Sequence, residues 1–309
     1  MATQKDVKNR ISSVKNIHKI TRAMEMVAAA RLRRAEERIA AMRPYAQAIR
    51  KMARQVSEAA GPAARRMPVM QEREDVNRVG IVLVTGDRGL AGSFNTQIIR
   101  AGMELKREVR SDEGAEVAFS AVGRRGNSTL TFRGETVAKS YVGFTDRPGF
   151  ANAREIGEDL ISAYVDEELD RVELIYNRYV SPLTQHVRRQ TLLPLQQTEV
   201  FGAGIPESTD DEEDEDELVK AHRRALWVYE PEPEELLEQL VPDYVNLSVY
   251  RALLESTASE HGARMTAMRN AAENAQDMIS DLTLEMNRVR QAEITQEILE
   301  VVAGAEALG

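Results

Sequence analysis

The sequence predicts an α/β domain carried on a long antiparallel two-helix coiled coil, the coil being made from both ends of the chain. Three observations predict it. Apolar and small residues recur in alternating steps of three and four over residues 7–56, and again over residues 247–289. Between these stretches the period changes to short apolar runs separated by amphipathic segments, the pattern of strands alternating with helices. Each terminal stripe is also narrow and too long for one small domain to cover.

The first stripe runs through Val7, Ile11, Val14, Ile17, Ile20, Met24, Val27, Ala28, Leu32, Ala35, Ile39, Met42, Ala46, Ile49, Ala53 and Val56, and predicts one helix over residues 1–60. Pro44 removes a backbone donor, so a bend is expected there rather than an end, because the stripe resumes at Ala46. Gly61-Pro62 and Pro68 mark a linker over 61–77. The run Val79–Val84 reads as a buried parallel strand. A helix over 94–109, a strand over 116–122, a strand near 136–142, a helix around Ile156–Tyr164 and strands over 171–180 and 185–193 follow. Together they make a small Rossmann-like domain over residues 78–200.

Residues 201–241 form an acidic loop and foot segment, with the unbroken run Asp210–Glu217 too self-repulsive to pack. The final helix is expected over 242–309, with Pro242 in its first turn, where proline is tolerated. Its seam runs Leu247, Leu254, Ala258, His261, Met265, Met268, Ala272, Ala275, Ile279, Leu282, Met286 and Val289, then slips by one residue to Ile294, Ile298 and Val301. Residues 242–303 would span about 90 Å as a helix. The first helix is the natural partner, with Ile20 expected opposite Leu282 or Met286. Ile11, Ile20, Leu32, Met265, Leu282 and Met286 are the main seam candidates.

Charge is unevenly spread within the net −9. Residues 1–60 hold fourteen Lys/Arg against five Asp/Glu, and residues 206–240 hold fourteen Asp/Glu against three Lys/Arg. Different neighbours for the two regions follow. Absence of cysteine excludes disulfides, thiolate metal sites and cysteine nucleophiles. The four scattered histidines make no metal-ligand pattern. No apolar run reaches the length of a membrane span.

Two motifs invite a functional reading. Thr85–Ser93 follows a strand and opens a helix, where a phosphate loop would sit. Its glycines match neither GxxxxGK[ST] nor GxGxxG, and the lysine is missing, so a structural turn is the stronger reading. The basic face of residues 8–38 lacks interleaved aromatics or a helix-turn-helix, which disfavours nucleic acid. No catalytic, cofactor or metal constellation stands out. The chain reads as a mechanical or adaptor protein.

At Lys19–Ala29 (KITRAMEMVAA) the sequence resembles the N-terminal helix of ATP synthase gamma subunits. Arg43-Pro44-Tyr45-Ala46, Asp87–Gly92 with Asn95, Tyr229–Pro233, Ala263–Met268 and Arg290–Glu297 are similar to further family strings, in order along the chain. The resemblance implies a central rotary shaft without a catalytic site or cofactor, turned by proton flow through a membrane c-ring. It implies alpha and beta partners in a catalytic head, an epsilon subunit beside the c-ring, and no nucleic acid or membrane insertion. It also implies a peripheral place on the cytoplasmic face of a bacterial plasma membrane. On the same grounds Met24, Arg290, Gln291 and Thr295 meet the beta-subunit levers and catch loop, while Tyr229 and Glu230 meet the c-ring and epsilon. The free-standing adaptor and the nucleotide-dependent enzyme are the competing readings.

Overall fold

The structure is a computed structural model and describes residues 4–61, 67–195 and 230–306. Helix α1 spans Gln4–Ala60, and the strap that follows has one 3-10 turn at Pro68–Met70. The domain then runs β1 (Arg78–Val84), α2 (Phe94–Glu108), β2 (Glu116–Val122), α3 (Arg124–Phe132), β3 (Val137–Tyr141), α4 (Phe150–Val165), β4 (Arg171–Tyr179) and β5 (Gln185–Leu193). Helix α5, Pro233–Glu306, closes the chain. The acidic run 210–217 and Tyr229 lie outside the described residues.

The sheet order is β3-β2-β1-β4-β5, with β1 to β4 parallel and β5 antiparallel to β4. Strand β1 is central and buried from Val79 onward, which explains its continuous apolar sequence. Its side chains alternate between two cores. Val79, Ile81 and Leu83 meet Phe94, Ile98 and Leu105 of α2 on one face. Val82 and Val84 join Ile156 and Leu160 of α4, Leu240 to Leu253 of α5, and Ala46 to Val56 of α1 on the other. The lower halves of both long helices are therefore a layer of the domain, and their upper halves leave it as a rod.

Four expectations about α5 and α1 need correction: where α5 starts, Ile20 in the seam, the residues opposite it, and the late seam slip. Helix α5 starts at Pro233, not 242, and Pro242 lies inside it. Pro233 takes the proline-tolerant first turn, Glu234 and Glu235 suit its N-terminal dipole, and Leu237, Leu240, Val241 and Tyr244 continue the buried face. The carbonyl orphaned by Pro242 is that of Glu238, an exposed position where water can serve it. Pro44 is likewise exposed, as is Ala40 whose carbonyl it orphans, so α1 runs through without ending.

The seam of α1 differs from its apolar stripe. A buried or half-buried residue recurs at 7, 11, 14, 18, 21, 25, 28, 32, 35, 39, 42, 46, 49, 53 and 56, an unbroken alternation of four and three, with further half-buried residues such as Met24 flanking this line. Between Val14 and Ala28 the seam thus holds His18, Thr21 and Glu25. Ile17, Ile20 and Val27 are more than half exposed. A supercoil requires the 3.5-residue repeat to continue, and following apolar identity drifts off it by one residue. Ile20 is therefore not a seam residue. Ile11 and Leu32 are buried, and Met265, Leu282 and Met286 are half-buried.

The pair is antiparallel, and its register is read from two contacts. Arg269 Nε donates to Glu25 Oε1 at 3.0 Å, and the Gln4 amide donates to Glu293 at 3.3 Å. Leu282 lines a groove with Arg10 and Val14, about a heptad away from Ile20. Periodicity repeats every heptad and cannot set this register; the pairing of half-exposed Arg269 with Glu25 in the seam does. Ile294, Ile298 and Val301 pass the start of α1 and are exposed, so the expected seam slip has no partner helix among the described residues.

Because the chain has no native cysteine, cross-linking checks the register directly. A Val14→Cys, Leu282→Cys variant is expected to link within one chain under mild oxidation. Ile20→Cys, Met286→Cys should link poorly, and a reversed preference on reducing and non-reducing gels would show the register to be wrong.

Candidate functional site

The loop 85–93 leaves β1 at the C-terminal edge of the sheet, beside the point where strand order reverses between β1 and β4. Parallel sheets bind ligands in that crevice. Here α5 occupies it. Ser256 Oγ donates to the Val84 carbonyl (3.2 Å), Thr257 Oγ1 to the Thr145 carbonyl (2.9 Å) and Ser259 Oγ to the Asn177 carbonyl (3.1 Å). Glu260 lies against Gly86, where an added Cβ would sit 2.6 Å from its carboxylate. The remaining cavity, lined by Thr85, Thr145, Ser256, Thr257 and Glu260 among others, is about 10 Å³, room for one water.

Asp87 ties the surrounding loops into one unit. Its carboxylate accepts from the amides of Arg124 (3.0 Å), Gly143 (2.9 Å) and Thr145 (3.2 Å) and from the Thr145 hydroxyl (2.9 Å). The same hydroxyl accepts the Asp87 amide. Asn95 Oδ1 accepts the Gly86 amide (2.9 Å), holding the loop on α2. Burial alone would raise the Asp87 carboxyl, but the amides of Gly143 and Arg124 and the two Thr145 donors bring it below the usual carboxylate range. Loops 85–93 and 142–149 and the start of α3 are thus fixed to one carboxylate.

Both long helices are gripped by this unit. From α5, Arg264 pairs with Glu260, reaches His261 Nδ1 (3.2 Å) and donates to the Gly89 carbonyl (3.3 Å). From α1, Arg31 donates to Asp146 at 2.8 Å, with Arg88 on the same carboxylate at 3.5 Å. Tyr179 at the end of β4 donates to Glu36 of α1. Burial pushes the Glu260 carboxyl up despite Arg264. Burial also pushes His261 down to about 4, helped by the positive charge of Arg264.

Higher on the rod, Glu25 is buried in the seam and takes Arg269 on one oxygen and Arg22 (2.7 Å) on the other. Donation from Arg269, then from Arg22, outweighs the burial between them and lowers its carboxyl. Met24 beside it is half-buried. Arg290, Gln291 and Thr295 are exposed near the top of α5, and the Thr295 hydroxyl donates back to the Gln291 carbonyl at 2.8 Å. Glu230 is exposed just before α5 begins. The Arg290 group and Glu230 stand at opposite ends of α5, about 90 Å apart along a straight helix. Neither the Asp87 hub nor the Glu25–Arg269 pair follows from motif spacing. An acid inside the heptad repeat and an aspartate directly after a strand-ending Thr-Gly were the available signals.

The architecture defines a class: an α/β domain fixed at one edge to an antiparallel two-helix rod that continues beyond it. A family model described as ATP synthase matches residues 3–308. The chain is 43% identical over 308 residues to an ATP synthase gamma chain of Rubrobacter xylanophilus, covering 100% of this chain and 99% of that relative. It is 39% identical over 303 residues to a sodium-ion-specific ATP synthase gamma chain of Acetobacterium woodii, covering 98% of each. Among solved structures, the central stalk and c-ring of Tetrahymena thermophila mitochondrial ATP synthase contains a chain 28% identical, with TM-score 0.58, covering 82% of this chain and 99% of that one. A chain of the Euglena gracilis mitochondrial enzyme shares the fold at 19% identity, with TM-score 0.64 over 99% of this chain and 94% of its own. The chain belongs to the ATP synthase gamma chain family. Among the described residues, no helix is long and apolar enough to cross a membrane.

Two outcomes follow from the filled crevice. Calorimetric titration of the isolated chain with ATP or NAD should be flat, whereas saturable binding lost on changing Gly89 and Gly92 would reopen the enzyme reading. The depressed His261 makes folding acid-sensitive. Folded His261 ionises near 4 and unfolded His261 near 6.5, so its contribution is intact above 6.5 and lost as pH falls toward 4. The full linkage is roughly 3 kcal/mol. Glu260, shifted upward, acts in the opposite sense above the ordinary carboxylate range, so the readout is a difference. Urea unfolding at pH 7 and 4.5 should show His261→Gln losing less stability on acidification than the parent.

Proposed function

We propose that this chain is the central rotary shaft of a proton-driven ATP synthase, coupling rotation of a membrane c-ring to the catalytic sites of an alpha/beta head, with no catalytic site or cofactor of its own. The observation that carries this reading is the outward apolar surface of the rod. Ile17, Ile20, Met26 and Val27 on α1, and Ile294, Ile298, Leu299, Val301 and Val302 at the tip of α5, are each about half exposed or more. A solitary rod would leave that surface in water, while a surrounding sleeve of subunits would cover it. An asymmetric shaft also suits the role, since a symmetric rod would act equally on every catalytic site. Here α5 continues past Gln4, its partner's first described residue, by thirteen residues from 294 to 306, or about 20 Å.

In this reading Met24, Arg290, Gln291 and Thr295 face the beta-subunit levers and catch loop. The planar guanidinium of Arg290 suits carboxylates and carbonyls on a neighbour. Tyr229 and Glu230 belong to the foot that meets the c-ring and epsilon. The complex sits on the cytoplasmic face of a bacterial plasma membrane, with this chain peripheral to it.

Damage at the two ends should fail differently. Arg290→Ala with Gln291→Ala is expected to slow ATP hydrolysis even by the detached head. Tyr229→Ala with Glu230→Ala should leave detached-head hydrolysis near normal while lowering proton uptake or assembly on membranes. Hydrolysis and proton uptake in the same vesicles, with the detached head as control, give the comparison; identical profiles would remove the two-ended assignment.

A further inference from the structure

The polar unit at the sheet edge stands where the rod leaves the domain. Below it, α1 and α5 are held by a shared apolar core of Ala46 to Val56 and Leu237 to Leu253. Beyond Arg31 and Arg264, the polar contacts that join the helices to anything else run between the two of them, as from Glu25 to Arg269 and Gln4 to Glu293, among the described residues. A rod fixed at one end bears its largest bending moment where it emerges from its support. Apolar burial is non-directional and resists separation better than it resists sliding. Hydrogen bonds with defined geometry resist both.

We propose that the Asp87-centred clamp is the joint that passes torque between the α/β domain and the two-helix rod, and that Asp87 is a positioning residue for coupling. The proposal rests on the shaft reading above. The hydrogen bonds of the Asp87 carboxylate go to loop 142–149 and the start of α3 rather than to either long helix. It acts by locking loop 85–93 to loop 142–149 through Gly143 and Thr145, and to the start of α3 through Arg124. Each loop then grips one or both helices. Gly89 takes Arg264 and Gly86 backs Glu260 of α5 from the first loop. From the second, Asp146 takes Arg31 of α1 and the Thr145 carbonyl takes Thr257 of α5. Unhooking Asp87 lets the loops move apart while the apolar core below stays intact. The rod then remains attached, but its angular setting yields under load.

This predicts a load-dependent failure. Detached-head hydrolysis puts no opposing torque on the joint, whereas pumping against a gradient does. The test uses the whole complex in membrane vesicles carrying Asp87→Asn, and Thr145→Val as a milder variant that removes only the hydroxyl bonds. Hydrolysis with uncoupler should stay within about twofold of the parent, while ATP-driven proton uptake per ATP hydrolysed falls at least about threefold. A staple distinguishes a joint from a general folding defect. Arg31→Cys with Asp146→Cys, bridged by a short bifunctional maleimide in the Asp87→Asn background, should restore the ratio; the unbridged protein should not. An unchanged ratio in both variants, equal losses of hydrolysis and uptake, or a deficit the staple does not repair would each overturn the proposal. If Asp87→Asn fails to assemble, Thr145→Val with the same staple carries the test. If parent vesicles show no ATP-driven uptake dependent on this chain, the shaft reading itself fails, an outcome separate from failure of the clamp.

Discussion

One helix has to satisfy two different environments, and most of the structure follows from that. Over residues 252–262, α5 is buried on every side against the sheet and α1. From 268 onward only a narrow seam is covered, at Met268, Ala272 and Ala275. The change takes place over about two turns, and there the helix carries Glu260, His261 and Arg264. A wholly apolar segment would suit the core but would leave an exposed patch where the helix emerges. A wholly polar one could not lie over a sheet. The observed compromise is a buried polar segment whose groups bond to strand-end and loop carbonyls.

Such a compromise is costly unless the polar groups find partners, since an unpaired buried polar group loses on the order of 1–3 kcal/mol. Ser256, Thr257, Ser259 and Arg264 each have one across the interface. His261 Nε2 and one oxygen of Glu255 have none within the described protein. Both belong to the same segment, and burial pushes His261 down. The loops that receive these bonds need fixed positions, which is what Asp87 supplies with a single carboxylate. Geometry that in other parallel sheets admits a phosphate is here closed by the chain's own helix.

The rod shows the same trade at lower density. Its upper seam accepts His18, Thr21 and Glu25 instead of the neighbouring isoleucines, and Arg269 compensates the charge. A half-exposed ion pair of this kind contributes little net stability, but a charge held in the seam is well suited to fixing register. The isoleucines displaced from the seam face outward. That arrangement makes sense for a rod whose outer surface is itself covered by neighbours, and the membership of the ATP synthase gamma chain family fits it.

Much of the fold was legible in the sequence because it rests on local periodicity. Alternating steps of three and four gave both long helices, and the run at 79–84 gave the central strand. Strands 116–122 and 185–193 were placed to the residue, since turns and polar residues bound them. What the sequence by itself determined was therefore element type, order and the pairing of the two ends. Tertiary structure decided the rest. Which residues of α1 face α5 depends on a supercoil that overrides apolar identity for two turns. Axial register depends on Glu25 meeting Arg269, a contact between residues 244 apart in the chain. The start of α5 at Pro233 depends on Leu237 to Tyr244 finding a core. The role of loop 85–93 depends on a helix that returns from the far end of the chain to fill its crevice. Periodicity is a property of neighbouring residues and can be read along the chain; register, partner and occupancy belong to surfaces that meet only after folding.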